Sequence, residues 1–250
     1  MAAKLNKKTS NSMMENLENR QMFSGYGTVN VSLTAITPSV VVDYTRNGVD
    51  QSFGAGEFVW TCSATKPGTC LSKATGVHTF CIEPDQDVTT AVVNYTVSDL
   101  TGGSKCSTKG PLTTNQANAI RELWGRFHSG VTTDGVKGAA FQMAIWELVC
   151  DNDRNLSTGT FSVDNTTATD IAVKAQAQCM LNAITGCGPK ANLLALTSPT
   201  DQDQIFEIPT CTPPTHCITY SCDYHASYPC ILKHTGECLH KTNSNCGSND

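Results

Sequence analysis

The chain has no long hydrophobic run and carries little charge. No stretch in its 250 residues reaches the about 18 consecutive apolar residues that a membrane-spanning helix needs, so the sequence predicts no membrane span. Charged residues make up only 16% of the chain, and the formal net charge is −5. Because basic residues are few, the sequence predicts no binding to nucleic acid or to an anionic membrane.

The amino terminus lacks the apolar segment of an ordinary signal peptide. Residues 1–25 are polar and predict a leader or a disordered tail. Within them, Leu17-Glu18-Asn19-Arg20 is similar to the Leu-Glu-x-Arg leaders of some exported bacterial proteins. A frayed polar terminus would have the same composition, so both interpretations stay open.

Cysteine, by contrast, is abundant. Thirteen cysteines at these spacings would be unusual in an intracellular protein unless they bound a metal, and they are typical of an oxidising compartment. If Cys81 is set aside, twelve remain, an even number that could pair throughout as disulfides. The cysteine content therefore predicts a secreted or cell-surface protein.

Residues 26–100 carry the signals of β-strands. Val29, Val31 and Leu33 alternate with polar residues, which is the two-residue period of a half-buried strand. Other segments predict strands because they are rich in β-branched and aromatic residues; they are 40–44, 57–61, 77–82 and 91–97. We expect these strands to pack as a β-sandwich or barrel subdomain.

After residue 110 the hydrophobic period becomes helical. One apolar stripe predicts the first helix; it consists of Ile120, Leu123, Trp124 and Phe127. Thr113 and Gln116 are spaced as a capping box at its start. A second helix contains residues 140–148, and a third, rich in alanine, runs from about 169 to 184.

Two further strands are predicted at 158–163 and 205–208, so the fold class is α+β, with a helical subdomain attached to the β-rich subdomain. This domain spans residues 26–210. Residues 211–250 form a small cysteine-rich tail with too little aliphatic content for a core, so disulfides or a metal must stabilise it. Its cysteines lack the close Cys-x2-Cys pairs of common zinc modules, which favours disulfides.

Two short segments carry reactive groups. Thr79-Phe80-Cys81-Ile82-Glu83-Pro84 places a thiol on an apolar strand, and Gln142-Met143-Ala144-Ile145-Trp146-Glu147 places a carboxamide on an apolar helix. These motifs resemble the Cys-Gln internal thioester domains of bacterial surface adhesins. In that family an aromatic-Cys-aliphatic strand supplies the sulfur and a Gln-x-Ala-Ile-Trp helix supplies the acyl group. Phe141 stands where that family usually has threonine.

The resemblance implies an internal thioester between Cys81 and Gln142 that captures a target covalently. The expected partner is an amine, such as a lysine on a surface protein or another primary amine, and the expected role is adhesion. Capture happens once per molecule, so we expect covalent binding rather than enzyme turnover. For the thioester site we expect no catalytic residue, cofactor or metal.

The motifs themselves suggest two further roles and the direction of one side chain. Trp146 lies one helical turn from Gln142 and is expected to shield the bond from water. Glu147 and Glu83 are candidate acceptors for the proton of the attacking amine. Because strand side chains alternate, we expect Phe80 to point away from the helices that Cys81 faces.

Two alternatives remain open. One is a non-covalent extracellular binding module stabilised by disulfides, in which Cys81 is an ordinary cysteine. The other is a cysteine hydrolase, which needs a histidine within hydrogen-bond reach of the thiol. His78 lies three residues from Cys81 on the same strand and should point to the opposite face, and His128 follows the first helix.

Overall fold

The computed structural model describes residues 26–65, 75–103, 110–208, 219–225 and 228–234. The predicted leader and most of the cysteine-rich tail lie outside these ranges. The strands are β1 Thr28–Arg46, β2 Val49–Thr65, β3 Thr75–Cys81, β4 Val93–Asp99, β5 Phe161–Val163, β6 Leu193–Thr197, β7 Gln204–Glu207, β8 Thr219–His225 and β9 Tyr228–His234. The helices are α1 Thr114–Phe127, α2 Gly135–Cys150 and α3 Ala168–Asn182. A large antiparallel sheet with three helices confirms the α+β class.

Six strands pair in a closed ring. The order β2-β3-β7-β6-β4-β1 returns to β2, because β1 and β2 also pair along most of their length. All of these pairs are antiparallel, and β5 adds to the far end of β1. Strands β8 and β9 form a separate two-stranded sheet.

The long hairpin β1–β2 supplies two sides of the ring. Asn47 and Gly48 connect its strands with φ angles of 50° and 75°, which a tight hairpin turn of this kind requires. Its register shifts between Ile36 and Ser39, so Pro38, which has no N–H to donate, lies at an irregularity in the ladder. An irregularity of this kind bends a strand, and here Pro38 and Ser39 lie against helix α2.

Helix α2 packs against the ring and against both other helices. It begins at Asp134, whose side chain accepts a hydrogen bond from the main-chain N–H of Lys137. Residues 138–150 are buried on every side, so this helix lies in the interior. Helix α2 approaches strand β1 closely because Gly135 and Gly138 face the main-chain oxygens of Ser39 and Pro38, where a Cβ would be tightly packed.

Most predicted elements exist, with shifted ends. The predicted capping box at the start of α1 is confirmed, with Thr113 and Gln116 bonded in both directions. The segments 29–33 and 40–44 belong to one continuous strand, β1, rather than two. Strand β6 was not predicted; its residues 193–196 are all buried, so it shows no alternation between apolar and polar positions.

One hydrophobic core joins the ring to the helices. It includes Trp60 and Tyr95 from the strands and Trp124 and Phe141 from the helices. No helix within the described ranges is long and apolar enough to cross a membrane.

The close contact between β2 and the bend of β1 gives a testable stability prediction. Gly56 is buried, and a Cβ there would collide with the main-chain oxygen of Pro38 and with Ser39. We expect Gly56→Ala to lower the free energy of unfolding by roughly 1–3 kcal/mol, because main-chain atoms must move. Urea denaturation measures the difference.

Gly54 offers a matched control on the same strand. A Cβ at Gly54 would meet nothing within 4 Å. Gly54→Ala should therefore leave stability within about 0.5 kcal/mol of the parent or raise it slightly. Equal losses in the two variants would contradict the packing described for Gly56.

Candidate functional site

The site lies at the end of strand β3. Cys81 is opposite Gln204 of β7, and the next residue, Ile82, donates its N–H to the main-chain oxygen of Asp203 at 3.0 Å. The ladder between β3 and β2 ends earlier, at the pair Phe58–Thr79. The main-chain N–H and C=O of Cys81 therefore point towards a side of β3 that β2 no longer covers.

The carboxamide of Gln142 takes that place. Its Oε1 accepts the main-chain N–H of Cys81 at 3.0 Å, and its Nε2 donates to the main-chain oxygen of Cys81 at 2.7 Å. Both residues are fully buried. The side chain of α2 thus pairs with the strand end as a neighbouring strand would, and it lies directly against the residue that carries the thiol.

The sulfur of Cys81 accepts two hydrogen bonds. The main-chain N–H of Glu83 lies 3.2 Å from Sγ, and Nε1 of Trp146 lies 3.3 Å from it. Trp146 is on the same face of α2 as Gln142, one turn further along. One helix therefore contacts Cys81 at the main chain through Gln142 and at the sulfur through Trp146.

Aromatic rings enclose Trp146. Its ring centroid lies 5.3 Å from that of Tyr44, 5.6 Å from that of Phe53 and 6.0 Å from that of Phe161. Only 1% of the Trp146 surface is exposed. Rings from β1, β2 and β5 therefore exclude water on this side, so the cover does not depend on Trp146 alone.

An ion pair ties the segment after Cys81 to the sheet. Arg46, at the end of β1, donates from Nε and Nη2 to the two carboxylate oxygens of Asp85 at 2.9 and 2.6 Å. A fork-to-fork pair of this kind fixes the orientation of both groups. The Gln202 side chain also donates to the main-chain oxygen of Gln86 at 2.9 Å. These bonds hold residues 83–87 beside the site.

The surroundings of Cys81 favour its neutral thiol over the thiolate. Burial raises the pKa of the Cys81 thiol well above its usual value, the two N–H bonds to Sγ lower it, and the carboxyl groups of Glu83 and Asp203 raise it. Burial and then the neighbouring Cys81 raise the pKa of Tyr44 to about 12. The raised pKa therefore means that Cys81, when free, carries a neutral thiol rather than a thiolate.

The structure separates the two predicted proton acceptors. Glu83 is buried beside Cys81, and its Oε2 accepts the main-chain N–H of Asp203 at 3.3 Å. Glu147 is buried as well, but its Oε1 accepts the N–H of Asn155 at 3.2 Å in the loop that follows α2. The carboxyl group of Glu83 also contributes to the raised pKa of the Cys81 thiol, whereas the described contacts of Glu147 are with the loop after α2.

The expectation for Phe80 is wrong. Its ring packs edge-on against Phe141 of α2 and Trp124 of α1, at centroid distances of 4.8 and 5.6 Å. Cys81 also reaches α2, through Trp146. Both are possible because β3 ends among the helices, and α2 presents Phe141 and Trp146 in different directions around its axis.

The histidines are engaged elsewhere. Nδ1 of His78 lies 3.0 Å from Oε2 of the buried Glu57, and Nε2 of His128 lies 3.3 Å from Oε1 of the same carboxylate. His128 also stacks on Trp124, with ring centroids 4.1 Å apart. Neither of these two histidine side chains has a described hydrogen bond to Cys81.

Two features of the site were not predicted from the sequence. Tyr44 packs on Trp146, and no pattern in the sequence links these two residues. Gln204 is a second buried carboxamide opposite Cys81, but its Oε1 accepts the hydroxyl of Thr79 at 2.9 Å and its Nε2 donates to Oε1 of Gln202 at 3.1 Å. Gln142, not Gln204, is therefore the amide bonded to Cys81.

One described cysteine bears on the expected disulfide pairing. Cys179 is an exposed free thiol, so it does not take part in the disulfide pairing suggested by the even number of remaining cysteines. Among the residues with described positions, no group of three or more His, Cys, Asp or Glu side chains is arranged to hold a metal ion. The disulfide pairing of the tail stays a prediction.

Glu147 should make stability depend on pH. Its burial, and then the adjacent Asp153 carboxyl, raise its pKa from 4.5 to about 8. The folded protein therefore keeps a proton that the unfolded chain has lost, so this contribution to stability falls as the pH rises from about 4.5 to about 8. Glu147→Gln keeps an acceptor for Asn155 and should be more stable than the parent above pH 8, by roughly 2 kcal/mol.

Urea denaturation of parent and variant across this pH range tests the sign. Glu122 is the matched control. Although it is buried, hydrogen bonds from Thr185, Arg126 and Gly186 lower its pKa to about 2. Its contribution is present at neutral pH and lost in acid, so Glu122→Gln should be less stable than the parent at neutral pH. If the unfolding free energies of Glu147→Gln and the parent change in parallel with pH, the raised pKa of Glu147 is contradicted.

No protein-family model matches the chain, and neither a curated protein nor a solved structure matches it. The function proposed next is supported by the contacts of Cys81 and Gln142 and by the motifs that carry them.

Proposed function

We propose that this is an exported bacterial surface protein that uses an internal thioester between Cys81 and Gln142 to capture amine-bearing targets covalently. The observation that carries the proposal is the Gln142 carboxamide, bonded at both ends to the main chain of Cys81 in a fully buried site. The β-rich part supplies the sulfur and the helical part the acyl group. The protein is an adhesin that reacts once, rather than an enzyme.

Formation of the bond replaces the amide nitrogen of Gln142 with the sulfur of Cys81. Sγ of Cys81 attacks Cδ of Gln142, the C–N bond breaks, and the thiol proton goes to Nε2, which leaves as ammonia. The carbonyl oxygen gains negative charge as the tetrahedral intermediate forms. The main-chain N–H of Cys81, 3.0 Å from Oε1, is already placed to stabilise that charge.

Capture replaces that sulfur with the nitrogen of a primary amine. A primary amine, such as the side chain of a lysine on a target protein, attacks the same carbonyl carbon, and the C–S bond breaks. An amide then joins the target to position 142, and the amine gives up one proton while the sulfur regains one. Glu83, whose carboxyl group is close enough to raise the pKa of the Cys81 thiol, is the carboxylate that we propose moves that proton.

The dry surroundings support the storage of such a bond. A thioester is lost when water reaches its carbonyl carbon, and both reacting residues and Trp146 are buried. Tyr44, Phe53 and Phe161 enclose the indole. We propose that this aromatic enclosure, with Trp146 at its centre, slows hydrolysis between synthesis and capture.

The competing function is a non-covalent binding module. In that case the two bonds from Gln142 only complete the hydrogen bonding of a strand end, and Cys81 stays an unreactive buried thiol. The two functions predict different covalent structures. Intact mass therefore separates them without any knowledge of the target.

The first test measures that mass. Purified parent protein should weigh one ammonia less than its sequence after disulfide hydrogens are subtracted. Cys81→Ala and Gln142→Ala should each have the full sequence mass, because each removes one partner of the bond. Methylamine should add once to the parent and release one thiol.

Cys179→Ala is the matched control, because it removes an exposed free thiol away from the site. It should keep the mass deficit and the reaction with methylamine. A parent protein at full mass, or a deficit that persists in Gln142→Ala, would overturn the proposed function and favour the binding module.

The second test concerns the enclosure. Phe53 is partly buried and packs on Trp146, so Phe53→Leu removes one ring of the cover without touching either reacting residue. We expect its thioester to hydrolyse several-fold faster, leaving a carboxylate at position 142 and a free thiol. Mass spectra taken over time follow the gain of one water.

Phe127→Leu is the control for a general loss of packing. Phe127 is also partly buried, but it lies at the end of α1 and has no described ring contact with Trp146. Its hydrolysis rate should match that of the parent. If the two variants hydrolyse alike, the rings around Trp146 are only core residues.

A further inference from the structure

The indole of Trp146 donates its hydrogen bond to an unusual acceptor. A buried indole N–H normally finds an oxygen. That holds for Trp60, which donates to Oγ1 of Thr79 at 2.8 Å, and for Trp124, which donates to Oε2 of Glu207 at 3.0 Å. Trp146 instead donates to Sγ of Cys81 at 3.3 Å. A neutral thiol sulfur is a weak acceptor.

A second donor is aimed at the same atom. The main-chain N–H of Glu83 lies 3.2 Å from Sγ, so two N–H groups converge on one sulfur in a site without solvent. Hydrogen bonds to a charged acceptor are roughly twice as strong as those between neutral groups. This pair of donors therefore stabilises a negatively charged sulfur far more than it stabilises the thiol.

Negative charge on the sulfur arises when the thioester opens. The amine nitrogen forms its bond to the carbonyl carbon of residue 142, and the electron pair of the breaking C–S bond moves to Sγ. The amine proton then leaves for a nearby carboxylate or for the sulfur itself. The surroundings oppose this charge, because the site is buried and carries the carboxyl groups of Glu83 and Asp203.

We propose that Trp146 is a catalytic residue of the capture reaction: its indole N–H, together with the main-chain N–H of Glu83, stabilises the departing thiolate of Cys81. This inference rests on the proposed thioester and goes beyond the shielding role of Trp146. Shielding depends on the area of the ring, whereas this role depends on one N–H group.

The two roles predict opposite effects for Trp146→Phe, which keeps an aromatic ring and removes the donor. A residue that only shields would, when trimmed, let amine and water in faster. A residue that stabilises the leaving thiolate would, when its donor is removed, slow the opening. We expect methylamine to open the thioester of Trp146→Phe on the order of 10-fold more slowly than that of the parent.

Phe53→Leu provides the matched comparison, because it thins the same cover and leaves the indole N–H in place. It should open at the parental rate or faster. The rates are measured by intact mass at fixed pH and methylamine concentration, using only protein that carries the mass deficit. Opening of the Trp146→Phe thioester at the parental rate or faster would overturn the proposal.

A second measurement needs no thioester and no Trp146 variant. The three indole N–H resonances of labelled protein are compared between Cys81→Ala and Gln142→Ala, of which only the second keeps the thiol. We expect the Trp146 resonance to differ and its N–H to exchange faster with solvent in Cys81→Ala, while the resonances of Trp60 and Trp124 stay unchanged. An unchanged Trp146 resonance would overturn the proposal.

Failure of the proposed thioester function and failure of the proposed Trp146 role give different results. A parent protein without the mass deficit contradicts the proposed function itself. In that case the indole resonances still decide whether Trp146 donates to the sulfur. If the mass deficit is present but Trp146→Phe opens at the parental rate or faster, the thioester stands and only the role of the indole is rejected.

Discussion

The arrangement of the site depends on one buried pairing, between the carboxamide of Gln142 and the main chain of Cys81. Strand β3 loses its neighbour β2 before it ends, and a buried strand end with an unpaired N–H and C=O would be costly. The side chain of α2 satisfies both groups. The hydrogen bonds that complete the sheet therefore also bring a carbonyl carbon next to a thiol-bearing residue, so the fold and the proposed chemistry depend on the same contact.

That pairing is possible because α2 can approach the strands closely. Gly135 and Gly138 leave room for the bend of β1 at Pro38 and Ser39, and Gly56 of β2 leaves room for the same bend from the other side. Side chains at these glycines would move main-chain atoms rather than flexible side chains. A small displacement of α2 would lengthen the bonds from Gln142 and Trp146 to Cys81, so tight packing far from the sulfur sets the geometry at the sulfur.

Burial has opposing effects on the proposed chemistry. It keeps water from a stored thioester, yet it disfavours the thiolate that must form when the bond opens, as the raised pKa of Cys81 shows. Two N–H donors oppose this effect at the sulfur, and a third is placed at the carbonyl oxygen. Fixed donors of this kind stabilise charge without admitting solvent. A site that is both dry and supplied with donors can therefore store the bond and still let it react.

The sequence by itself determined the element types, the capping box of α1 and the two motifs with Cys81 and Gln142, because periodicity, caps and short motifs are local properties. It did not determine strand β6, which is buried on both faces and shows no alternation, or the direction of Phe80 at a strand end between two helices. It also did not show that Glu83 and Glu147 have different surroundings, since both flank motif residues. Only the tertiary structure placed Tyr44 over Trp146 and brought the amide of Gln142 onto the main chain of Cys81. These contacts join residues distant in sequence, and strand register and helix packing decide them.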